Sequence, residues 1–143
     1  MIILTIFFGI SYISIENNKK ILDTQLASAA LKNDKLSVKS TIQQLEQLTP
    51  YEEFELVKWS SAQESIGNNS EAIRLLEKLS VYSPRWYLLY LPHQLDLQKK
   101  QKIDLKKYLE SRKKIFSTFP YSNEEKAKLN DICNDYAKMK CIN

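Results

Sequence analysis

Glycine, histidine and cysteine are scarce in this chain of 143 residues, and each scarcity removes a class of chemistry. Gly9 and Gly67 are the only glycines. A phosphate-cradling P-loop, a GxGxxG turn and a GxSxG nucleophile elbow each need several glycines close together. His93 is the only histidine, so HExxH zinc sites and any other site built on two histidines are excluded. A serine–histidine dyad would have to use His93, which follows Pro92 in the apolar stretch LLYLPHQL and reads as packed or semi-exposed. Cys133 and Cys141 form no CxxC pair, so a metal or redox motif of that kind is missing. No cofactor is implied. Runs of alternating β-branched residues are few as well, which leaves a sheet without its period-two signal.

Leu, Lys, Glu and Gln are plentiful instead, and they are good helix formers. Three of the four prolines pace the chain. Pro50 and Pro84 lie 34 residues apart, and Pro84 and Pro120 lie 36 apart. A period near 34 is the length of a helix–turn–helix repeat of the tetratricopeptide kind. Within Tyr51 to Pro84, Leu56 and Trp59 share one helix face, with Phe54 alongside. Gly67 stands at the turn, Ala72 at the close-packing position of the next helix, and Leu76 and Leu79 continue that face. Ser60 and Gln63 occupy the places where such repeats carry Gly and Tyr.

One period earlier, Leu22, Leu26 and Ala29 form one face, Asn33-Asp34 the turn, and Val38, Ile42 and Leu45 the second face. One period later, Trp86, Leu89 and Leu91 lead, a longer glycine-free turn lies near Lys99–Lys102, and Leu105, Tyr108, Leu109, Ile115 and Phe116 follow. A last helix, about Glu124 to Met139, uses Ala127, Leu129, Ile132 and Tyr136 to cap the stack. The expected fold is therefore all-α, stacked antiparallel helical hairpins behind a hydrophobic N-terminal helix.

Helix starts agree with this division. Thr49-Pro50-Tyr51-Glu52 predicts a capping box with Pro at the first helical position. Ser83-Pro84 repeats the device without the glutamate, and Ser122 with Glu125 predicts another box. Glu52, Glu53 and Glu55 suit the positive end of a helix, and that reading outweighs a paired-carboxylate site.

Met1 to Ile15 carries no charged side chain, and Glu16, Lys19 and Lys20 end the run. It is shorter than the roughly 17–25 residues a membrane helix needs. It lacks the basic start and nearby cleavage site of a signal peptide. We read residues 1–15 as a truncated transmembrane segment of a longer membrane protein, with Met1 as an internal start, and residues 16–143 as the helical domain. A buried core helix is the plainer reading of the same run.

An apolar segment running directly into Leu48-Thr49-Pro50, Gly67, Glu71-Ala72-Ile73 and Ser83-Pro84 resembles the C-terminal extracytoplasmic region of bacterial PglL-type O-oligosaccharyltransferases, within the Wzy polymerase and O-antigen ligase superfamily. The resemblance covers nearly the whole chain. It implies a place in the bacterial inner membrane with the helical domain in the periplasm. It implies a part in protein glycosylation or surface-glycan assembly, with an acceptor protein or a polyprenyl-linked glycan as partner. The catalytic residues of that superfamily lie in membrane segments and a large loop outside this chain, so no catalytic residue carries over. Lys19 and Lys20 oppose the periplasmic placement, since basic residues flank membrane helices on the cytoplasmic side. The alternative is a membrane-anchored scaffold that binds another protein.

Net charge is +4 and the excess is local. Eight basic residues between Lys99 and Lys114 face only Asp104 and Glu110. Lys99, Lys102, Lys106 and Lys113 share a helix face. That face reads as solvated surface, or as a surface for lipid head groups or a pyrophosphate carrier, and no nucleic-acid motif accompanies it. Trp86 and Tyr90, with Tyr82 and Tyr87, form an aromatic cluster around Pro84. It reads as inter-hairpin core, as a peptide groove or as an interfacial belt. Cys133 and Cys141 are too far apart to bond on one helix, since eight residues rise about 12 Å. Two free thiols are the first expectation. A bridge requires the helix to end near Lys138 and the tail to fold back.

Overall fold

The computed structural model describes residues 2–49 and 52–142, with side chains from Ile13 onward. It is all-α, with seven helices among the described residues: α1 (Ile2–Leu31), α2 (Lys35–Leu48), α3 (Glu53–Ser65), α4 (Asn69–Tyr82), α5 (Pro84–Lys100), α6 (Leu105–Thr118) and α7 (Asn123–Ala137). They fall into two compact units, residues 1–68 and 69–143. The expected hairpin of α3 with α4 is thus divided between units.

In the first unit α1 packs along α2, and α3 touches both. The buried faces follow the helical spacing of the apolar residues. Leu22, Leu26 and Ala29 are buried on α1, Val38, Ile42 and Leu45 on α2, and Leu56 and Trp59 on α3. Phe54 is exposed instead. α1 crosses the expected domain boundary after Ile15 without a break, because no Gly or Pro occurs between Gly9 and Pro50. Its 30 residues give a rod of about 45 Å. The expected membrane segment falls mostly on side chains outside the described residues. Among the described residues no helix is long and apolar enough to cross a membrane. The capping box expected at Thr49 is not formed. Thr49 ends α2, its hydroxyl donating to the Leu45 carbonyl, and α3 begins only at Glu53. Pro50 and Tyr51 lie outside the described residues.

In the second unit α4 lies along α5, and α7 packs on α5 and α6. Ala72, Ile73, Leu76 and Leu97 form one core cluster, with Tyr90 packed against it. Ala72 has no exposed surface, which explains the small side chain there. α5 is turned relative to the sequence expectation. Tyr87, Leu88, Leu91 and Leu95 face inward, while Trp86 and Leu89 are exposed. Two glutamines, Gln94 and Gln98, complete the inward face and disguise its period. Pro84 takes the first helical turn after Ser83 as expected. On α7 both bonds of the Ser122–Glu125 capping box are present. Ala127 is exposed, while Leu129 and Ile132 are buried.

One turn recurs. Asn33, Gly67 and Lys102 each adopt positive φ, of 53°, 76° and 59°, at spacings of 34 and 35 residues. In each turn that residue's N–H returns to the carbonyl three residues back, and the next N–H returns to the carbonyl five back. This is a helix-ending motif that satisfies orphan carbonyls and favours Gly or Asn. The period first read from proline is therefore carried more regularly by the turns. Lys102 takes the left-handed conformation without glycine's freedom, at a cost of about 1 kcal/mol.

Candidate functional site

The turn at Lys102 breaks the expected lysine face. α5 stops at Lys100, and Asp104 caps α6 by accepting from the Lys107 N–H at 3.1 Å. The four lysines therefore lie on two helices and a turn. Lys99, Lys102 and Lys106 are brought to one open cavity of about 760 Å³, while Lys113 lies further along α6 and lines none of it. Asp96 on α5, Asp104, and Asp135 and Tyr136 on α7 complete the wall. The single Tyr136 hydroxyl proton is shared between Asp96 Oδ1 at 3.0 Å and the Pro92 carbonyl at 3.2 Å. Burial and the neighbouring Asp96 carboxylate push its pKa up, so it stays a neutral donor.

The aromatic cluster is divided. Tyr87 enters the core, where its hydroxyl meets that of Tyr108 at 3.2 Å, and Gln94 Nε2 also reaches the Tyr108 hydroxyl. Burial pushes the pKa of Tyr87 far up and that of Tyr108 up as well, so both act as neutral hydrogen-bonding groups. Arg112 lies over the Tyr108 ring, 5.3 Å from its centroid, and pairs with Glu77 at 2.9 Å. Trp86 and Tyr90 stack with centroids 6.5 Å apart, Trp86 on the outside.

Two of the acidic residues at the start of α3, Glu52 and Glu55, share the Lys19 ammonium group. Glu55 is 5% exposed and is held by two cations, Lys19 at 3.3 Å and Lys58 one turn along its own helix. Lys19 also donates to Glu52 at 2.8 Å, and Lys58 to Asp23 at 2.8 Å. These bonds tie α3 to α1. With Lys19 and Lys58 both on Glu55, the cluster fastens the start of α3 to α1.

The lysines predict an alkaline effect. The bond from Glu52 raises the pKa of Lys19 above the ordinary 10.5, burial opposing it. For Lys58 burial pulls downward, and the bonds to Asp23 and Glu55 outweigh it, for a net rise. A raised folded-state pKa gives stability that is complete below 10.5 and is lost as pH climbs through the folded value. Glu55→Gln should cost about 1.5 kcal/mol at pH 8. The gap between wild type and variant should narrow above pH 10.5 in urea melts. An unchanged gap at pH 11.5 would show that the lysine charges do not carry it.

The C-terminal tail folds back. α7 ends at Ala137, Lys138 takes φ 54°, and Cys133 and Cys141 are bonded with Cα atoms 6.0 Å apart. The free-thiol expectation therefore gives way, because the left-handed residue reverses the chain. Asn130 holds the tail independently. Its Oδ1 accepts from the N–H of Cys141 and Ile142 at 2.9 and 3.0 Å, and its Nδ2 donates to the Ile142 carbonyl at 2.9 Å. Ile142 is buried.

His93 is exposed on α5. Among the described residues no group of three or more His, Cys, Asp or Glu could hold a metal. Comparison with protein-family models, curated proteins and solved structures gives no match to this chain.

Proposed function

We propose that this chain is a membrane-anchored, periplasmic helical domain that serves a PglL-type glycan-transfer machine without catalysis of its own, positioning acceptor protein or polyprenyl-linked glycan. The observation that carries the reading is α1. The helix runs unbroken from the uncharged N-terminal run, whose Ile13 and Ile15 side chains are exposed, into the pair it forms with α2. An anchor continuous with a packed helix would hold the domain at a fixed distance from a bilayer. The Cys133–Cys141 bond suits an oxidising compartment such as the periplasm. Lys19, which argues for the cytoplasmic side, has a second use in its pairing with Glu52 and Glu55.

The stacked Trp86–Tyr90 pair beside exposed Leu89 supports the second reading, a membrane-anchored scaffold for another protein. Alkaline phosphatase and green fluorescent protein, each fused after Asn143 in a bacterial host, test the placement. Active phosphatase with a dark fluorescent fusion is expected. The reverse pattern overturns the periplasmic reading. Deleting the coding sequence in its own cell should then reduce glycan on envelope proteins, and unchanged glycan would leave only the scaffold.

A further inference from the structure

The three acids and three lysines around the cavity of the second unit are not equivalent. Asp96 is engaged by the Tyr136 hydroxyl, and Asp104 is committed to the first turn of α6. Lys99, Lys102 and Lys106 pair with no acid among the described residues. The chain thus gathers three ammonium groups from α5, a turn and α6, while two of the three wall carboxylates already accept hydrogen bonds from the chain itself. The turn accepts lysine at a left-handed position that the matching turn fills with Gly67. The cavity volume of about 760 Å³ falls within the range of small-molecule sites.

We infer that this cavity binds a phosphate-class anion, a free diphosphate or the phosphate of a lipid head group, through Lys99, Lys102 and Lys106. Each ammonium offers three donors on a flexible stem, which suits the spread oxygens of a phosphate better than a planar carboxylate. The three wall carboxylates, Asp135 above all because no hydrogen bond engages it, oppose the anion and keep affinity modest. Being open to solvent, the site weakens with salt. This inference is independent of the glycan-transfer reading, because it needs only the second unit.

Calorimetric titration of the full chain in neutral detergent tests it with two probes. Sodium pyrophosphate represents the free diphosphate. Glycerophosphoglycerol, a water-soluble phosphodiester, represents the head group. The combined variant Lys99→Gln, Lys102→Gln, Lys106→Gln should weaken binding at least tenfold. Lys113→Gln with Lys114→Gln, equal in kind but off the cavity, should change it less than twofold. Loss with pyrophosphate assigns a free diphosphate, and loss with glycerophosphoglycerol alone assigns a head group. Absence of binding to both probes, or an equal loss in the Lys113 and Lys114 variant, overturns the inference. Circular dichroism melting checks that the triple variant folds. Lys106→Gln alone, which leaves the turn intact, carries the test should the triple variant unfold, and it should weaken binding about threefold.

Discussion

Trp59→Ala is expected to destabilise the protein by about 3–5 kcal/mol, the usual cost of deleting a large buried aromatic. Trp59 has no exposed surface, and Leu56, one turn earlier on α3, has none either. Alanine would remove the largest buried side chain of the first unit and leave a void the neighbours only partly fill. The melting temperature should fall by roughly 10–15 °C. Trp59→Phe, which keeps most of the volume, should lose less than half of that. Fluorescence supplies a second readout, because Trp86 is the only other tryptophan and is 41% exposed, against none for Trp59. The blue-shifted part of the emission should vanish in Trp59→Ala and the red part should remain. A melting point within two or three degrees of wild type would mean that Trp59 is not packed as described.

Trp59 was legible because its neighbours share its period. Leu22, Leu26 and Ala29, then Val38, Ile42 and Leu45, recur at helical spacing with polar residues between them, and all six are buried. α5 was harder to read. Aromatic and aliphatic residues occupy both its faces, and Gln94 and Gln98 lie inside, so hydrophobicity alone pointed to Trp86 and Leu89. The lysine cavity was half legible. The cluster of charge and a turn near Lys99–Lys102 are both visible in the sequence, but a single lysine face drawn from Lys99 to Lys113 runs through that turn and does not survive it. Asp104, placed before LKKYLE, was the available signal, since Asp at that position commonly starts a helix. The left-handed conformations of Lys102 and Lys138 themselves carry no residue signal, because lysine has no preference for positive φ. Glu55 was ambiguous for a different reason. An acid in the first turn suits the helix dipole whether it is solvated or buried, and only the fold supplies Lys19 and Lys58.

Replacing both Cys133 and Cys141 by serine should lower stability by about 2.5 kcal/mol, the chain-entropy value for a separation of 8 residues. The melting temperature should drop by roughly 5–10 °C, and reduction of the wild type should reproduce the drop. Both sulfurs are buried, so a reductant should act slowly until the tail opens. The tail should nevertheless stay docked after reduction, because Asn130 holds Cys141 and Ile142 by three hydrogen bonds that need no disulfide. Amide exchange separates the two contributions. The N–H groups of Cys141 and Ile142 should remain protected in the serine variant and lose protection when Asn130→Ala is added. Immediate loss in the serine variant would make the covalent bond the sole fastening. The same two cysteines bear on where the protein works. Thiols blocked at lysis in the native host should be found bonded if the domain faces an oxidising compartment and free if it faces the cytoplasm. In the cytoplasm the docking of the tail would then rest on Asn130 and the buried Ile142.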